Sequence, residues 1–273
     1  MFATAVIVFR EILEAALIVG IVAAATRDVA GRNRWLAAGI VAGLVGAGIV
    51  ALGTGRIAEL ASGMGQELFK AAVLGLAVVM LAWHNLWMSS HGAALAADAR
   101  NVGNEIRDGR RERSVLLIIV GLAVLREGSE TVLFLYGIAA AEGGASWPML
   151  AGGVAGIASG VAVGWLLYAG LLRIPLRWFF TVTGILVLFL AAGMASQAAN
   201  FLIQADLLPS LATPLWDTSA WLPQSSVIGT LLHSLVGYEA QPSGMQIVFY
   251  VLVLAIIATG MMWAGKGRRA AAG

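Results

Sequence analysis

The feature that most constrains this chain is a five-residue motif that occurs twice, each time inside a long apolar run. Arg10-Glu11-Ile12-Leu13-Glu14 lies in the run from Phe2 to Ala25, and Arg126-Glu127-Gly128-Ser129-Glu130 in the run from Ser114 to Ala141, with no other charge in either segment. Runs of that length can cross a bilayer as helices, so both motifs belong at membrane depth. On a helix the Arg and the second Glu are four residues apart and the two Glu three apart, which puts all three side chains on roughly one face. A charge at mid-bilayer costs at least about 2.5 to 3.5 kcal/mol and marks ion handling more often than anything else, so that face must point into protein.

Composition agrees with a membrane solvent. The 273 residues are 60% hydrophobic and 12% charged, with mean hydropathy +0.88, outside the range of soluble domains. The apolar segments fill most of the length, which leaves room for a single transmembrane domain over residues 1–273 and for no soluble one. The net charge of +2 comes with no basic-aromatic patch, so nucleic acid is not an expected partner; the lipid bilayer is. There is no cysteine, which excludes disulfides, thiolate metal sites and haem attached through cysteine, and leaves oxygen and nitrogen as metal donors. The N-terminus lacks a basic n-region, and cleavage after Ala23-Ala24-Ala25 would discard the first motif, so it reads as an uncleaved first span.

Seven apolar segments are predicted, at about 2–25, 35–54, 69–90, 114–141, 147–171, 178–202 and 246–264. The expected fold is therefore an all-α polytopic membrane protein of seven transmembrane helices. Alternate connections hold Arg27, Arg32 and Arg34; Arg100, Arg107, Arg110, Arg111 and Arg113; Arg173 and Arg177; and Lys266, Arg268 and Arg269 in the tail, against only Arg56 and Lys70 on the other side. The positive-inside rule then puts the N-terminus outside and the C-terminus in the cytoplasm. The outward side is acidic, with Glu59, Glu67, Glu142, Asp206, Asp217 and Glu239.

The motif is part of a larger repeat. Phe9 to Ala25 aligns with Leu125 to Ala141, 116 positions later, and Ala38-Gly39 with Val41-Ala42-Gly43 aligns with Ala151-Gly152 and Val154-Ala155-Gly156, 113 positions later. Three helices per unit is odd, so the second unit must run inverted, giving a 3+3 inverted repeat, about 1–90 and 114–202, plus a seventh helix at 246–264. That is a common transporter plan with its substrate site where the repeats meet. Gly152, Gly156, Gly160 and Gly164, like Gly39, Gly43, Ala47 and Ala51, form stripes of small residues that read as helix-packing surfaces. Pro175 is expected to end a helix, and Trp147, Trp178, Trp221 and Trp263 to sit at the interfaces. The outer connection, about 203–245, is the only long one, and its apolar piece Ser226 to Val236 suits an interfacial or re-entrant segment.

Glu11, Glu14, Glu127 and Glu130 supply four carboxylates, and Arg10 and Arg126 reduce the net charge of the two motifs to minus two, near complementarity to a di- or trivalent cation. Hard oxygen donors suit ferric iron, manganese, magnesium or calcium and tolerate ferrous iron. The bland alternative is a pair of buried Arg-Glu clusters that fix helix packing, a role for which buried ion pairs are weak. Met80, His84, Met88 and His91 recur on one side of the third segment and form a candidate pathway, although Met at helical spacing is usually packing. Asp217 and Glu239 complete the candidate pathway on the outer side, and His233 reads as a surface or interfacial residue. A di-iron oxidase would need Glu-x-x-His pairs, absent from both motifs, so no enzymatic activity is expected; another divalent-cation or proton-coupled carrier remains open.

The paired motifs in segments one and four, with Leu215-Trp216-Asp217-Thr218-Ser219, Gly237-Tyr238 and Pro242-Ser243, closely resemble the oxidase-dependent iron permeases, the bacterial EfeU-type branch above all. Ile12 departs from the Gly common at that motif position, which Gly128 keeps. The resemblance implies that Glu11, Glu14, Glu127 and Glu130 bind iron during permeation, with Arg10 and Arg126 beside them. It further implies transport of iron, ferrous or ferric, as substrate with no permanently bound cofactor, a place in the bacterial inner membrane, and an extracytoplasmic partner that oxidises or delivers iron.

Overall fold

The apolar runs contain no internal proline, and Pro148 falls in the first turn of its helix, where a missing N–H costs nothing. In the computed structural model the chain accordingly forms α1 (Phe2–Ala25), α2 (Arg32–Ala61), α3 (Gln66–Arg107), α4 (Val115–Glu142), α5 (Trp147–Tyr168), α6 (Leu176–Gln204), α7 (Val227–Val236) and α8 (Gly244–Ala271). The structure describes residues 1–61, 65–142, 144–170 and 176–271, and the side chains of these apart from 55–61, 88–96, 141–142, 176–180 and 264–271. Among the described residues there is no strand. Segments of α2, α3, α5, α6 and α8 are long and apolar enough to cross a bilayer; α1 and α4, of 24 and 28 residues, are as long but each carries the three motif charges. The chain is a polytopic, all-helical membrane protein.

The main departure from expectation is α3. Its 42 residues rise about 63 Å, roughly twice the hydrocarbon thickness of a bilayer, and take in most of what hydropathy alone suggests is a loop. The stretch from 97 to 107 is polar, but its apolar Ala99, Val102 and Ile106 recur at helical spacing. Ala99 and Ile106 are buried against α1, α2 and α4. The helix end expected at Pro175 lies outside the described residues, as does the side chain of Trp178. Trp147, Trp221 and Trp263 are each at least 80% exposed, as interfacial side chains should be.

Helix pairs are set by the small-residue stripes. α5 lies along α1, and its Gly152, Gly156, Gly160 and Gly164 are all buried there. A Cβ at Gly156 would come 2.8 Å from both the Ala5 carbonyl oxygen and Val8 Cβ, and 3.0 Å from the Phe9 nitrogen. α2 lies along α4 in the same way: a Cβ at Gly43 would come 2.8 Å from the Gly121 carbonyl oxygen, 2.6 Å from Val124 Cβ and 2.9 Å from the Leu125 nitrogen. Only a residue without a side chain allows backbones this close.

Two apolar clusters form the core. One joins Ala3 and Ile7 of α1 to Leu74 and Leu81 of α3, Phe134 and Ile138 of α4, α6 and Ile257 of α8. The other joins Val22 of α1 to Leu36, Ala99, Ile106, Leu116, Val120 and Val124. The first half of α1 thus shares a cluster with the second half of α4, so the two helices run antiparallel. Both motifs fall between the clusters.

The connection between α6 and α8 is built from its own backbone. Leu215 N–H donates to the Pro242 carbonyl at 2.8 Å and Thr218 N–H to the Ala240 carbonyl at 2.9 Å, while Tyr238 Oη donates to the Leu222 carbonyl at 2.9 Å. The separated stretches that carried the family resemblance therefore bind one another. The apolar piece from Ser226 is the short helix α7, capped by the Ser226 hydroxyl accepting from Gly229 N–H, and ended by Gly237 at φ 70°, a left-handed turn suited to glycine. Gly237 also rests on Gly193 of α6, where a Cβ would come within 2.4 Å of Cα.

Candidate metal site

Helical spacing makes each motif a unit. Arg10 Nε lies 3.0 Å from Glu14 Oε1, one turn on, and Arg10 Nη1 lies 3.6 Å from Glu11 Oε1. Arg126 Nε lies 3.1 Å from Glu130 Oε1 and 3.7 Å from Glu127 Oε1. Antiparallel packing of α1 and α4 then brings the two units to one level of the bundle. Arg10, Glu11, Glu14 and Glu127 are at most 2% exposed, whereas side-chain exposure is 17% at Glu130 and 34% at Arg126.

α3 inserts His84 between the units. Its Nε2 lies 3.4 Å from Glu14 Oε2 and 3.9 Å from Glu11 Oε2, and its Nδ1 contacts Glu130 Oε2. Glu11, His84, Glu127 and Glu130 each offer one ligand atom, all within 4.8 Å of one another. Both carboxylate oxygens of Glu11, and Oε2 of Glu127, are buried without a hydrogen-bond partner among the described residues. Buried acceptors are ordinarily satisfied, so oxygens left open and converging on one point form a donor set suited to a cation.

The structure thus brings together all four sequence-predicted glutamates, both arginines and His84. A cavity of about 390 Å³ beside them is lined by Met80, Trp83, His84, Trp87, Arg126 and Glu130 among others. The Arg126 guanidinium stacks on the Trp87 ring, 4.2 Å from its centroid. Sequence reasoning passed over Trp83 and Trp87; the signal available was that Trp87 falls three residues after His84 and seven after Met80, on the same side of α3. The side chains of Met88 and His91 lie outside the described residues. A larger cavity of about 690 Å³, beside Lys70, Tyr136 and Met149, touches none of the motif residues.

Asp217 and Glu239 stand apart, in the connection between α6 and α8. Asp217 accepts from Ser219 N–H at 2.9 Å, Ser219 Oγ at 2.5 Å and Gln241 Nε2 at 2.8 Å, and these bonds, the Ser219 hydroxyl first, hold its carboxyl below the usual range. Glu239 Oε1 lies 3.6 Å from His233 Nδ1, and that ring nitrogen is 2.8 Å from the Tyr238 carbonyl. His233 is half-buried, with Nε2 against Gln197 of α6, so it belongs to the packing of α7 on α6 more than to the surface.

The chain matches the Iron permease FTR1 family over residues 1–271. It is 34% identical over 265 residues to the ferrous iron permease EfeU of Escherichia coli and to that of Shigella sonnei, covering 94% of this chain and 95% of each relative. Identity to the protein of the same name from Yersinia pestis is 30% over 259 residues, 93% of this chain and 90% of that one. No solved structure matches. With one family model matched nearly from end to end and relatives covered over nine tenths of their length, the chain belongs to the FTR1 iron permease family.

Proposed function

We propose that this protein carries iron from the extracytoplasmic side of the bacterial inner membrane into the cytoplasm, through a site formed by Glu11, Glu14, Glu127 and Glu130. The observation that carries this reading is the meeting of two motifs, 116 positions apart in sequence, at a single buried point between two apolar clusters. The glutamates replace part of the ion's water shell, while Arg10 and Arg126 keep their oxygens oriented and offset their mutual repulsion. Ferrous iron is the form named for the relatives, and this chain takes the same form. Met80 and the adjoining cavity form part of the route, and the acidic outer connection with Asp217 and Glu239 raises the local cation concentration.

The architecture behind the site is seven spans, three plus three related by inversion and a seventh in α8. What supports it is the duplication of packing in detail: Gly43 meets Gly121, Val124 and Leu125 as Gly156 meets Ala5, Val8 and Phe9, and every one of these partners is its counterpart 116 positions on. The N-terminus lies outside and the C-terminus inside, and an iron-oxidising or iron-delivering protein supplies the outer face. An inside-negative potential favours cation entry by roughly 2.3 kcal/mol per charge per 100 mV, enough to drive influx without a nucleotide.

The decisive measurement is iron uptake by purified protein in vesicles at matched protein density. Glu14→Gln and Glu130→Gln should each abolish uptake while leaving insertion and abundance unchanged, because the amide keeps size but removes the charge that binds the ion. Iron-like uptake by both variants would make the glutamates structural, and equal uptake of manganese or zinc by the parent would make this a broader cation carrier.

A further inference from the structure

His84 belongs to neither motif. A histidine buried for packing ordinarily spends its ring nitrogens on backbone carbonyls, amides or water; half-buried His233 is held by the Tyr238 carbonyl and Gln197, with one carboxylate, Glu239, at 3.6 Å. His84 is 2% exposed, and the contacts of its two nitrogens run to carboxylates of different helices, Nε2 to Glu14 and Glu11 on α1 and Nδ1 to Glu130 on α4. It is the group of α3 at which the two units meet. An ion bound at about 2.0 to 2.4 Å from each donor places opposed ligands about 4 to 5 Å apart. The four atoms offered by His84, Glu11, Glu127 and Glu130 already lie within 4.8 Å of one another, so a single ion can be shared with small adjustments of side-chain torsions.

We infer that His84 is a nitrogen ligand of the transported ion, and the residue that sorts first-row transition ions from magnesium and calcium. The inference rests on the reading of the glutamates as an iron site. A site of carboxylates alone is hard and suits calcium, magnesium and manganese as well as it suits iron. Magnesium and calcium carry the same charge as ferrous iron, so charge cannot tell them apart. One imidazole changes the ranking, because nitrogen donors bind iron and its later neighbours in preference to the alkaline earths. The substrate class is then a divalent transition ion, with discrimination against magnesium and calcium made at the site itself.

The test uses the full-length protein with no variant at first. Manganese, a paramagnetic stand-in, is bound to protein grown with natural-abundance or ¹⁵N-labelled histidine, and nitrogen couplings are read by pulsed electron paramagnetic resonance. The chain has three histidines, and among the described residues His84 alone lies in the motif cluster, so a coupling that changes with the label and is lost in His84→Gln identifies it. Manganese bound at the glutamates without such a coupling overturns the inference. In parallel, His84→Gln should weaken ferrous iron binding at least about tenfold, the lower end of what losing a group that merely orients a ligand costs, and should leave calcium binding within about threefold. A His84→Gln protein with parental preference for iron over calcium also overturns it. If the parent binds neither manganese nor iron, or binds them unchanged after Glu14→Gln and Glu130→Gln, the four-glutamate site fails and takes this inference with it.

Discussion

Arg10 and Arg126 hold equivalent places in the two motifs and make ion pairs of nearly the same length, 3.0 and 3.1 Å to the glutamate one turn on. Their surroundings differ. Arg10 is sealed in the bundle with Glu11 and Glu14, while Arg126 is one-third exposed beside the cavity and leans on Trp87. Removing one member of a buried ion pair typically costs about 3 to 5 kcal/mol, because the partner is left charged in a poor solvent. Arg10→Met should therefore lower the melting temperature in detergent much more than Arg126→Met, since Arg126 and its nearer partner Glu130 are both partly exposed. Equal losses would mean that burial does not set the energetics of the pair. On the proposed reading both changes should also lower transport, since each releases a glutamate of the site. Sequence established which residues are charged and which share a face; it was silent on this asymmetry, which depends on how the other helices pack around each motif.

At the level of elements, the α1–α5 and α2–α4 pairs depend on contact between backbones, and so on glycine. Gly43 and Gly48 lie on the same helix five residues apart; a Cβ would clash with Val124 and Gly121 at the first and meet nothing within 4 Å at the second. Gly43→Ala should destabilise by about 1 to 3 kcal/mol, the usual cost of overpacking, because the obstructing atoms include main chain that cannot rotate away. Gly48→Ala should be neutral or stabilise by up to about 1 kcal/mol through helix propensity. Thermal melts of the two variants in one detergent check both, and a tolerated Gly43→Ala would mean that α2 and α4 do not pack this closely. The stripes themselves were legible from spacing. Their partners were not, because a small-residue stripe says that some backbone comes near and gives no hint of which. The length of α3 escaped hydropathy for another reason: its second half is amphipathic, with apolar residues at helical spacing among polar ones, so an apolar average sees only a polar loop.

On the scale of the whole molecule, a layer of charge lies between two apolar clusters, and α1, α3 and α4 each run through all three levels. The proposed direction requires a defined orientation, and the thirteen Lys and Arg of one set of connections against two of the other predict it. A cytoplasm-active reporter fused after Gly273 should be active, and one that works only outside the cell should be active when inserted near Asp217. The reverse pattern at either position would invert the proposed direction of transport.

Sequence by itself determined the class of solvent, the span-length apolar runs and the two charged motifs, because each is a local property: hydropathy over some twenty residues, or spacing within one helical turn. It also identified the family, since the motif and the stretches at Leu215, Gly237 and Pro242 lie in the chain as they stand. Tertiary structure alone decided that Glu11, Glu127 and Glu130 converge, that His84 from a helix without a motif stands among them, and that one arginine is buried and the other half-open. Those are relations between helices distant in sequence, fixed by antiparallel packing and by which glycine meets which backbone. Periodicity along a single helix carries no record of its neighbours.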